Sequence, residues 1–335
     1  MRVLTLSNAD IHAALPPAEC EQAMAAVLAA RARGDAFNPL RTVTIPPGAA
    51  GFMGLMPAYA SAAASAGESG PGYGGAAFGL KAICLIPGNP ARGLDAHQGT
   101  VQLYDGDTGM PTAILNASAI TEIRTAAVTA VATRALARDG ARVLGLLGAG
   151  VQARSHLIAL ADVRPWEEVR VYAPTTAHAE ALRETRPGIT VAGSAEEAVD
   201  GADVVLVATS AKRPVLQHAW LAPGAHVSAV GASSPTAWEI EPETVAAAAL
   251  FCDSRESVRN EAGEFMLAVE QGLIAGEEHI RAELGEVVAG THPGRSGEKE
   301  LTMFRSLGIG VEDLAAAQVA VQNARRHGLG TEVEL

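Results

Sequence analysis

The sequence predicts an α/β protein of two domains, one a doubly wound parallel sheet and the other a smaller α+β domain. Three observations lead to this prediction. The chain has 335 residues, more than one ordinary core accommodates. From residue 143 onward, short apolar strands alternate with helical stretches, as in a parallel sheet with helical crossovers. The first 120 residues instead show strands joined by a tight turn, which is typical of antiparallel pairing.

The first 120 residues contain one clear helix and several short strands. The helical periodicity of Pro17–Arg33 ends at Gly34. Ser61–Gly79 is rich in alanine, serine and glycine, so we interpret it as a mobile surface loop. The predicted strands are Leu40–Ile45, Phe52–Tyr59, Leu80–Ile86, Thr100–Tyr104 and Pro111–Asn116.

A long helix, Thr121–Asp139, leads into the second domain, with Thr121 as its expected N-cap. The strands predicted after it are Val143–Leu147, Val169–Ala173, Ile189–Ala192, Val204–Thr209, Val227–Gly231 and Leu250–Asp253. We expect a last helix, Gly310–His327, to return to the first domain. The predicted domains are therefore residues 1–120 with 310–335, and residues 121–309.

Composition excludes several classes of function. The formal charge of −12 is unlike that of nucleic-acid binders, which carry basic patches. No apolar run approaches the ~20 residues of a membrane span, and the N-terminus is unlike a signal peptide. The three cysteines are far apart, and zinc-binding spacings are absent. We expect a cytoplasmic protein without a metal and without nucleic-acid or membrane partners.

A glycine turn is the strongest chemical motif. Gly148-Ala149-Gly150 follows an apolar strand and precedes a helix that starts with Val151 and Gln152, in a G-x-G-x-x-A pattern. Glycines let the backbone approach a pyrophosphate, and the helix N-terminus offers unpaired N–H groups. The motif predicts a Rossmann-type domain that binds a nicotinamide dinucleotide; a purely structural turn is the alternative.

The second strand of this domain bears on the choice of cofactor. It ends in Ala173-Pro174-Thr175, without the carboxylate that grips the ribose hydroxyls of NAD. We therefore expect NADP(H) to be preferred and NAD(H) to be possible, although no arginine stands there to bind the 2′-phosphate. Alternatively, Thr175 or Thr176 only caps the following helix.

Three cations are candidates for binding an anionic substrate. Arg41 and Lys81 lie on apolar strands, and Arg124 lies in the first turn of the helix predicted from Thr121, where a cation opposes the helix dipole. Arginine can bind a carboxylate through two parallel hydrogen bonds, and burial tunes the protonation of lysine. Each side chain alone is also consistent with a solvent-facing position.

Several stretches together resemble the ornithine cyclodeaminase/mu-crystallin family. They run in order over nearly the whole chain, and they are more specific for the family than for one reaction. The stretches are Arg41-Thr-Val43, Gly51–Tyr59, Leu80-Lys81, Thr121–Ala127, Gly148–Gln152, Gly201–Asp203, Pro223–His226, Val230–Ser233, Ser306–Gly308 and Glu312-Asp313.

The resemblance implies a homodimer formed through the N-terminal domain, and it implies roles for individual residues. Arg41, Lys81 and Arg124 would be the catalytic cations around the substrate carboxylate, with Ser233 also in the substrate site. The cofactor contacts, taking the glycine turn and the end of the second strand together with the resemblance, would be His97, Gln98, Arg124, Gly148, Gly150, Val151, Gln152, Ala173, Pro174, Thr175, Thr209, Ser210, Val230, Gly231 and Ser306.

Two departures from the family pattern separate its reactions. Cyclodeaminases carry a Glu where this chain has Gly54 and an Asp where it has Ser233. A serine is not a carboxylate base at neutral pH. A chain with serine at position 233 resembles the mu-crystallin-like ketimine reductases. We therefore expect an NAD(P)H-dependent reductase of small cyclic imino acids. The alternatives are an ornithine cyclodeaminase or amino-acid dehydrogenase, and a non-catalytic protein that binds NADPH and a ligand.

Overall fold

A computed structural model describes residues 2–65 and 74–335. The chain divides into two compact units, Met1–Arg124 with Gly308–Leu335, and Thr125–Leu307. Of the loop predicted over Ser61–Gly79, residues 66–73 lie outside the described residues. The described flanks of that loop are partly regular, with a short helix before the gap and a strand that begins at Ala77 after it.

The secondary structure comprises the following elements. The strands are β1 (Arg2–Leu6), β2 (Ala36–Phe37), β3 (Thr42–Thr44), β4 (Phe52–Ala60), β5 (Ala77–Leu85), β6 (His97–Asp105), β7 (Pro111–Asn116), β8 (Val143–Leu147), β9 (Glu168–Tyr172), β10 (Thr190–Val191), β11 (Val204–Val207), β12 (His226–Ala229), β13 (Ala249–Cys252), β14 (Ile280–Glu283), β15 (Thr302–Arg305) and β16 (Thr331–Glu334). The helices are α1 (Asn8–Ala14), α2 (Pro17–Arg33), α3 (Ala62–Ser65), α4 (Ala117–Leu136), α5 (Val151–Ala159), α6 (Thr176–Ala181), α7 (Ala195–Val199), α8 (Pro242–Ala247), α9 (Arg255–Glu261), α10 (Gly263–Glu270), α11 (Leu284–Val288) and α12 (Gly310–His327).

The first unit is built on a mixed sheet. Its strand order is β16-β1-β7-β6-β5-β4-β2, with β3 also paired to β4. The expectation of a purely antiparallel sheet is wrong at one place, because β1 and β7 are parallel. Local hairpin signals reveal only neighbours in sequence, and this pairing joins strands about a hundred residues apart.

Helices α2 and α12 have the bounds that the sequence predicts. Helix α12 packs on β4, β5 and β6 and is buried over most of its length. Gly79 of β5 allows this close packing, because a Cβ there would lie 3.0 Å from the side chain of Leu314.

Helix α4 begins earlier than predicted, so Thr121 is not its N-cap. Asn116 accepts a hydrogen bond from the amide of Ala119 at 3.0 Å, so the capping residue lies five residues upstream of Thr121. Arg124 therefore lies in the second turn, and the argument from a cation at the helix N-terminus is wrong.

The second unit contains an eight-stranded parallel sheet of order β10-β9-β8-β11-β12-β15-β13-β14. The predicted α/β class with a doubly wound sheet is confirmed. Strands β14 and β15 were not predicted from the sequence, because charged residues interrupt their apolar patterns. These residues are Arg281 and Glu283 in β14 and Arg305 in β15. Within residues 2–65 and 74–335, no helix combines the length and the apolar character that a membrane crossing requires.

Candidate functional site

Lys81 is the centre of a buried charge cluster in the first unit. It lies in the middle of β5, opposite Met56 of β4 and Val101 of β6, and is only 3% exposed. Its Nζ lies 2.7 Å from Oδ2 of Asp313. The alternative of a solvent-facing strand residue is therefore wrong for Lys81.

Arg124 shares the same carboxylate and is 4% exposed. Its Nε donates to Oδ1 of Asp313 at 2.9 Å, and one terminal nitrogen donates to Oε2 of Glu312 at 2.9 Å. Both acids lie in the first turn of α12, where the helix dipole stabilises negative charge. Glu312 also accepts a hydrogen bond from the amide of Ile309 at 3.3 Å.

Arg41 reaches the start of the same helix. It precedes β3 rather than lying on it, because the predicted strand Leu40–Ile45 is shorter than expected. Its Nη2 donates to the carbonyl of Gly308 at 2.8 Å. Gly308 has a φ of +76°, and a Cβ there would lie 2.6 Å from Nη2 of Arg124. A glycine is needed at this position because of the positive φ and the close approach of Arg124.

The charges of the cluster nearly compensate each other. Within the described residues, the three cations Arg41, Lys81 and Arg124 lie with the two acids Glu312 and Asp313. Burial lowers the pKa of Lys81 to about 8, although Asp313 opposes this shift. Burial alone would raise the pKa of Asp313, but Lys81 and Arg124 outweigh it and lower that pKa. The cluster suits one further anionic group.

His97 belongs electrostatically to this cluster. It is the first residue of β6, half-buried, and its pKa is lowered by burial and by the charges of Lys81 and Arg124. A lowered pKa favours the neutral imidazole, which adds no further positive charge to the site. Gln98, the next residue, is exposed and donates to the carbonyl of Asp95 at 3.0 Å.

Gly54 occupies the same face of the sheet as Lys81. It is paired with Ile83, two residues along β5, and a Cβ at this position would make an ordinary contact of 3.5 Å with Ile83. A side chain at residue 54 would therefore lie on the same face of the sheet as Lys81.

The glycine turn of the second unit has the geometry that the motif requires. Gly148 has a φ of +118° and donates to the carbonyl of Tyr172 at 2.9 Å. A Cβ at Gly148 would overlap the carbonyl oxygen of Ala208, whereas a Cβ at Gly150 would meet nothing within 4 Å. Gly150 is the N-cap of α5, so the turn presents open backbone at a helix N-terminus.

Two predicted cofactor residues carry polar atoms that suit a bound dinucleotide. Oε1 of Gln152 and Oγ of Ser306 are buried and have no hydrogen-bond partner within the described part of the chain. Buried polar atoms are nearly always paired in folded proteins, so these two atoms, at the start of α5 and after β15, are open to a ligand. Val151, at the start of α5, is 49% exposed.

The end of β9 is open to solvent. Ala173 is buried, but Pro174 and Thr175 are exposed. Thr175 is the N-cap residue of α6, yet its side chain makes no capping hydrogen bond. The hydroxyl group is thus not used in the way that the capping alternative requires.

Glu239, which the sequence reasoning missed, organises the ends of β11 and β12. Its carboxylate accepts hydrogen bonds from the amide and hydroxyl of Thr209, at 2.6 and 2.7 Å, and from the amide of Ala232 at 2.7 Å. Among the predicted residues in this region, Val230 is half-buried, and Ser210, Gly231 and Ser233 are exposed.

The structure thus brings Arg41, Lys81, His97 and Arg124 together in the first unit and places the other candidates, except Gln98, at strand ends of the second. Glu312 and Asp313 have no role in the sequence prediction, although a carboxylate pair at a helix start was a usable signal. No group of three or more metal-ligating side chains occurs in residues 2–65 and 74–335.

The chain combines a buried cation cluster with a doubly wound sheet whose first strand is followed by a glycine turn. These features define a dinucleotide-binding α/β protein. The ornithine cyclodeaminase/mu-crystallin family model matches residues 2–328, and the chain belongs to this family. The resemblance that the sequence indicated is confirmed.

Three relatives illustrate the similarity. Ketimine reductase mu-crystallin of Mus musculus is 39% identical over 287 residues, which are 85% of each chain. A solved Δ1-pyrroline-2-carboxylate reductase of Thermococcus litoralis, in complex with NADH and L-proline, has a TM-score of 0.91 at 35% identity and covers 99% of this chain and 100% of its own. A solved archaeal alanine dehydrogenase dimer with bound NAD has a TM-score of 0.90 at 30% identity, with both chains covered completely.

Proposed function

We propose that this chain is an NAD(P)H-dependent reductase of small cyclic imino acids, of the pyrroline- or piperideine-carboxylate kind. The observation that carries the proposal is the buried cluster that brings Lys81 and Arg124 together, since such cations can bind a substrate carboxylate. The mouse and Thermococcus litoralis relatives support it, since both are named as reductases of C=N compounds.

The chain's own residues bind and orient the substrate. Arg41 and Arg124 fix the carboxylate, because guanidinium groups match its two oxygens. Lys81 orients the substrate and polarises the site, and its pKa of about 8 keeps it mostly protonated at neutral pH. The nicotinamide, when bound, supplies the hydride for the imine carbon. The protein contributes orientation and electrostatics to this chemistry.

The cofactor residues follow from the geometry of the second unit. Gly148 and Gly150 admit the pyrophosphate, while Gln152 and Ser306 supply the partnerless polar atoms. The exposed hydroxyl of Thr175 and the lack of a carboxylate at the end of β9 favour NADP(H), with NAD(H) also accepted. Two solved relatives hold NADH or NAD, which supports binding of a nicotinamide dinucleotide and the acceptance of NAD(H).

The missing carboxylates favour reduction over deamination. Gly54 and Ser233 stand where cyclodeaminases carry acids, so the chain lacks the groups that handle the substrate amine. Oxidation of an open-chain amino acid is the second candidate, and the structural likeness to alanine dehydrogenase favours it.

We also infer a homodimer formed through the first unit. One face of β4 and β5 packs under α12, and the opposite face carries apolar side chains. Met53 and Phe78 on that outer face are 45% and 48% exposed, and Tyr59 packs against Phe78 with ring centroids 4.8 Å apart. Apolar patches of this kind mark protein interfaces, and a second copy of this sheet is the occupant we propose.

A cytoplasmic location fits the cysteines. Within the described residues, Cys20, Cys84 and Cys252 form no disulfide bond, as expected in a reducing compartment.

A substrate panel tests the proposed function. Cyclic imines and amino acids are supplied with NADPH or NADH, or with their oxidised forms, at substoichiometric protein, and absorbance at 340 nm is followed. We expect many turnovers with a cyclic imino acid and no ammonia from ornithine. Binding without turnover, or ammonia release from ornithine, would contradict the proposal; turnover only with an open-chain amino acid would favour the dehydrogenase.

A further inference from the structure

Glu239 is a buried carboxylate outside the charge cluster, and the proposed function gives it no role. It is 1% exposed and lies beyond the carboxyl ends of the parallel strands β11 and β12. Its Oε1 accepts two hydrogen bonds from Thr209, and its Oε2 accepts one from the amide of Ala232. A single side chain therefore links the segments that follow two neighbouring strands.

The position of this carboxylate is fixed by its own backbone. The carbonyl of Glu239 accepts hydrogen bonds from the amides of Val215 and Leu216, at 2.8 and 3.2 Å. Gly231 packs directly against it, since a Cβ there would overlap the Glu239 carboxylate and the carbonyl of Thr209. The backbone of residues 230–232 is thus held against Glu239 with no space between them.

The same segment is held by a buried cation. Arg305, at the end of β15, donates to the carbonyls of Ala229 at 3.0 Å, Ser306 at 3.2 Å and Ala232. Its charge is balanced by an ion pair with Glu264 of α10. Glu239 thus fixes the amide of Ala232, while Arg305 fixes the carbonyls of Ala229 and Ala232.

We propose that Glu239 is a positioning residue for the dinucleotide, which sets Thr209 and the segment 230–233 in the conformation that binds it. The inference rests on the proposed function, which assigns the cofactor to these strand ends. The carboxyl ends of parallel strands are where ligands bind in doubly wound sheets. Positioning of this kind matters because small displacements of binding groups are costly.

Protonation of Glu239 disrupts this arrangement. Burial raises its pKa to about 6, although Thr209, Arg305 and Ala232 oppose the shift; Arg305 and its partner Glu264 are the charged groups on the neighbouring elements. In the ionised form, each carboxylate oxygen of Glu239 accepts a hydrogen bond from a backbone amide. Protonation places a hydrogen on one of these oxygens, facing the amide that donates to it. Cofactor affinity should therefore decrease as the pH falls through about 6.

The experiment measures NADH binding by fluorescence titration between pH 5.5 and pH 8. NADH is chosen because it lacks the 2′-phosphate, which titrates in the same range. For the wild type we expect the Kd to rise about threefold as the pH falls to 5.5, because a group with a pKa of about 6 is only partly in its weaker-binding protonated form there. Glu239→Gln puts an amide donor opposite the Ala232 amide, so its Kd should already be about tenfold higher at pH 8 and should change little with pH.

Asp203→Asn is the matched control. Like Glu239, Asp203 accepts two backbone hydrogen bonds, from Arg142 at 2.7 Å and Val143 at 2.9 Å; unlike Glu239 in the described part of the chain, it forms an ion pair, with Arg138. It lies at the amino ends of β8 and β11, at the opposite edge of the same sheet. The substitution should lower the melting temperature but leave the Kd for NADH and its pH dependence unchanged.

The outcomes distinguish this inference from the proposed function. If the wild type binds neither NADH nor NADPH at pH 8, the proposed function fails. If it binds NADH but its Kd does not change between pH 8 and pH 5.5, the positioning role is overturned. The role is also overturned if folded Glu239→Gln keeps the wild-type Kd. Should Glu239→Gln not fold, Thr209→Val removes one donor and should raise the Kd about threefold; an unchanged Kd would contradict the role.

Discussion

The candidate site of the first unit consists of buried charged side chains, whereas that of the second consists largely of backbone groups at strand ends. Lys81 and Arg124 depend on Asp313 for compensation, and removing one charge affects the others. The glycine turn depends on the space around Gly148 and Gly150. The two sites should therefore respond differently to substitution: the first through charge balance, and the second through steric fit.

The largest effect should come from Asp313→Asn. Its carboxylate serves both Lys81 and Arg124, and breaking a buried ion pair typically costs about 3–5 kcal/mol. We expect the free energy of unfolding to fall by about 3 kcal/mol and kcat/KM to fall by a hundredfold or more, on the order of that same energy. Denaturant unfolding and steady-state kinetics measure the two quantities.

Asp35→Asn is the control for this prediction. Asp35 pairs with Arg33 at 3.3 Å in the same unit, but both side chains are exposed. The stability should change by less than about 0.5 kcal/mol. Equal losses in the two variants would mean that burial of the cluster has no special importance.

The two glycines of the turn should separate stability from cofactor binding. Gly148→Ala introduces a Cβ that overlaps Ala208 and strains a φ of +118°, so it should lower both the melting temperature and the affinity for NADPH. The Cβ of Gly150→Ala would lie in open space, so this variant should keep the wild-type melting temperature. Its affinity for NADPH should fall by about tenfold, because the pyrophosphate approaches the backbone there. Unchanged NADPH affinity in Gly150→Ala would exclude the turn from the cofactor site.

Arg41→Lys should weaken substrate binding without affecting cofactor binding. The change keeps the charge but loses the planar fork that matches a carboxylate. A charge-assisted hydrogen bond contributes about 1.5–3 kcal/mol, so the apparent affinity for the imino acid should fall by about tenfold or more. An equal loss of NADPH affinity in a fluorescence titration would show that Arg41 serves the other ligand.

Ala173→Asp should change the choice of cofactor. A carboxylate at the end of β9 can accept hydrogen bonds from the ribose hydroxyls of NADH and repels a 2′-phosphate. The ratio of kcat/KM for NADPH over NADH should fall by about tenfold, which corresponds to about 1.4 kcal/mol. A wild-type protein that already prefers NADH by this margin would refute our interpretation of Ala173-Pro174-Thr175.

The smallest predicted effect is a pH dependence of carboxylate binding. The pKa of Lys81 is lowered to about 8, so its ammonium charge disappears as the pH rises through that value. The inhibition constant of cyclopentanecarboxylate, which does not titrate in this range, should rise about fivefold between pH 7 and pH 9 as the positive charge of Lys81 is lost. Lys81→Arg keeps its charge and should abolish this rise; a rise that persists would assign it to another group.

The same comparison explains what the sequence could predict. The glycine turn and the strand before it are local in sequence, so Gly148–Gln152 and the doubly wound class were predictable. The partners of the cations were not, because α12 brings Glu312 and Asp313 to Lys81 and Arg124 over about two hundred residues of sequence. Glu239 was missed because no local pattern marks a carboxylate whose donors come from other strands.

The boundary errors have similar causes. Thr121 was a plausible cap, but Asn116 lies upstream and its side chain caps the helix first. Strand β15 contains Arg305, a buried residue that forms an ion pair with Glu264. A charged residue of this kind interrupts the apolar pattern by which strands are recognised in a sequence.

Transfer of a label from the cofactor to the product tests the central claim most directly. NADPH dideuterated at C4 of the nicotinamide is incubated with Δ1-pyrroline-2-carboxylate and the protein, and the product is analysed by mass spectrometry and NMR. We predict proline with one deuterium at Cα, as hydride transfer to the imine carbon requires. Proline without deuterium at Cα, or no proline while ornithine releases ammonia, would contradict the proposed reductase.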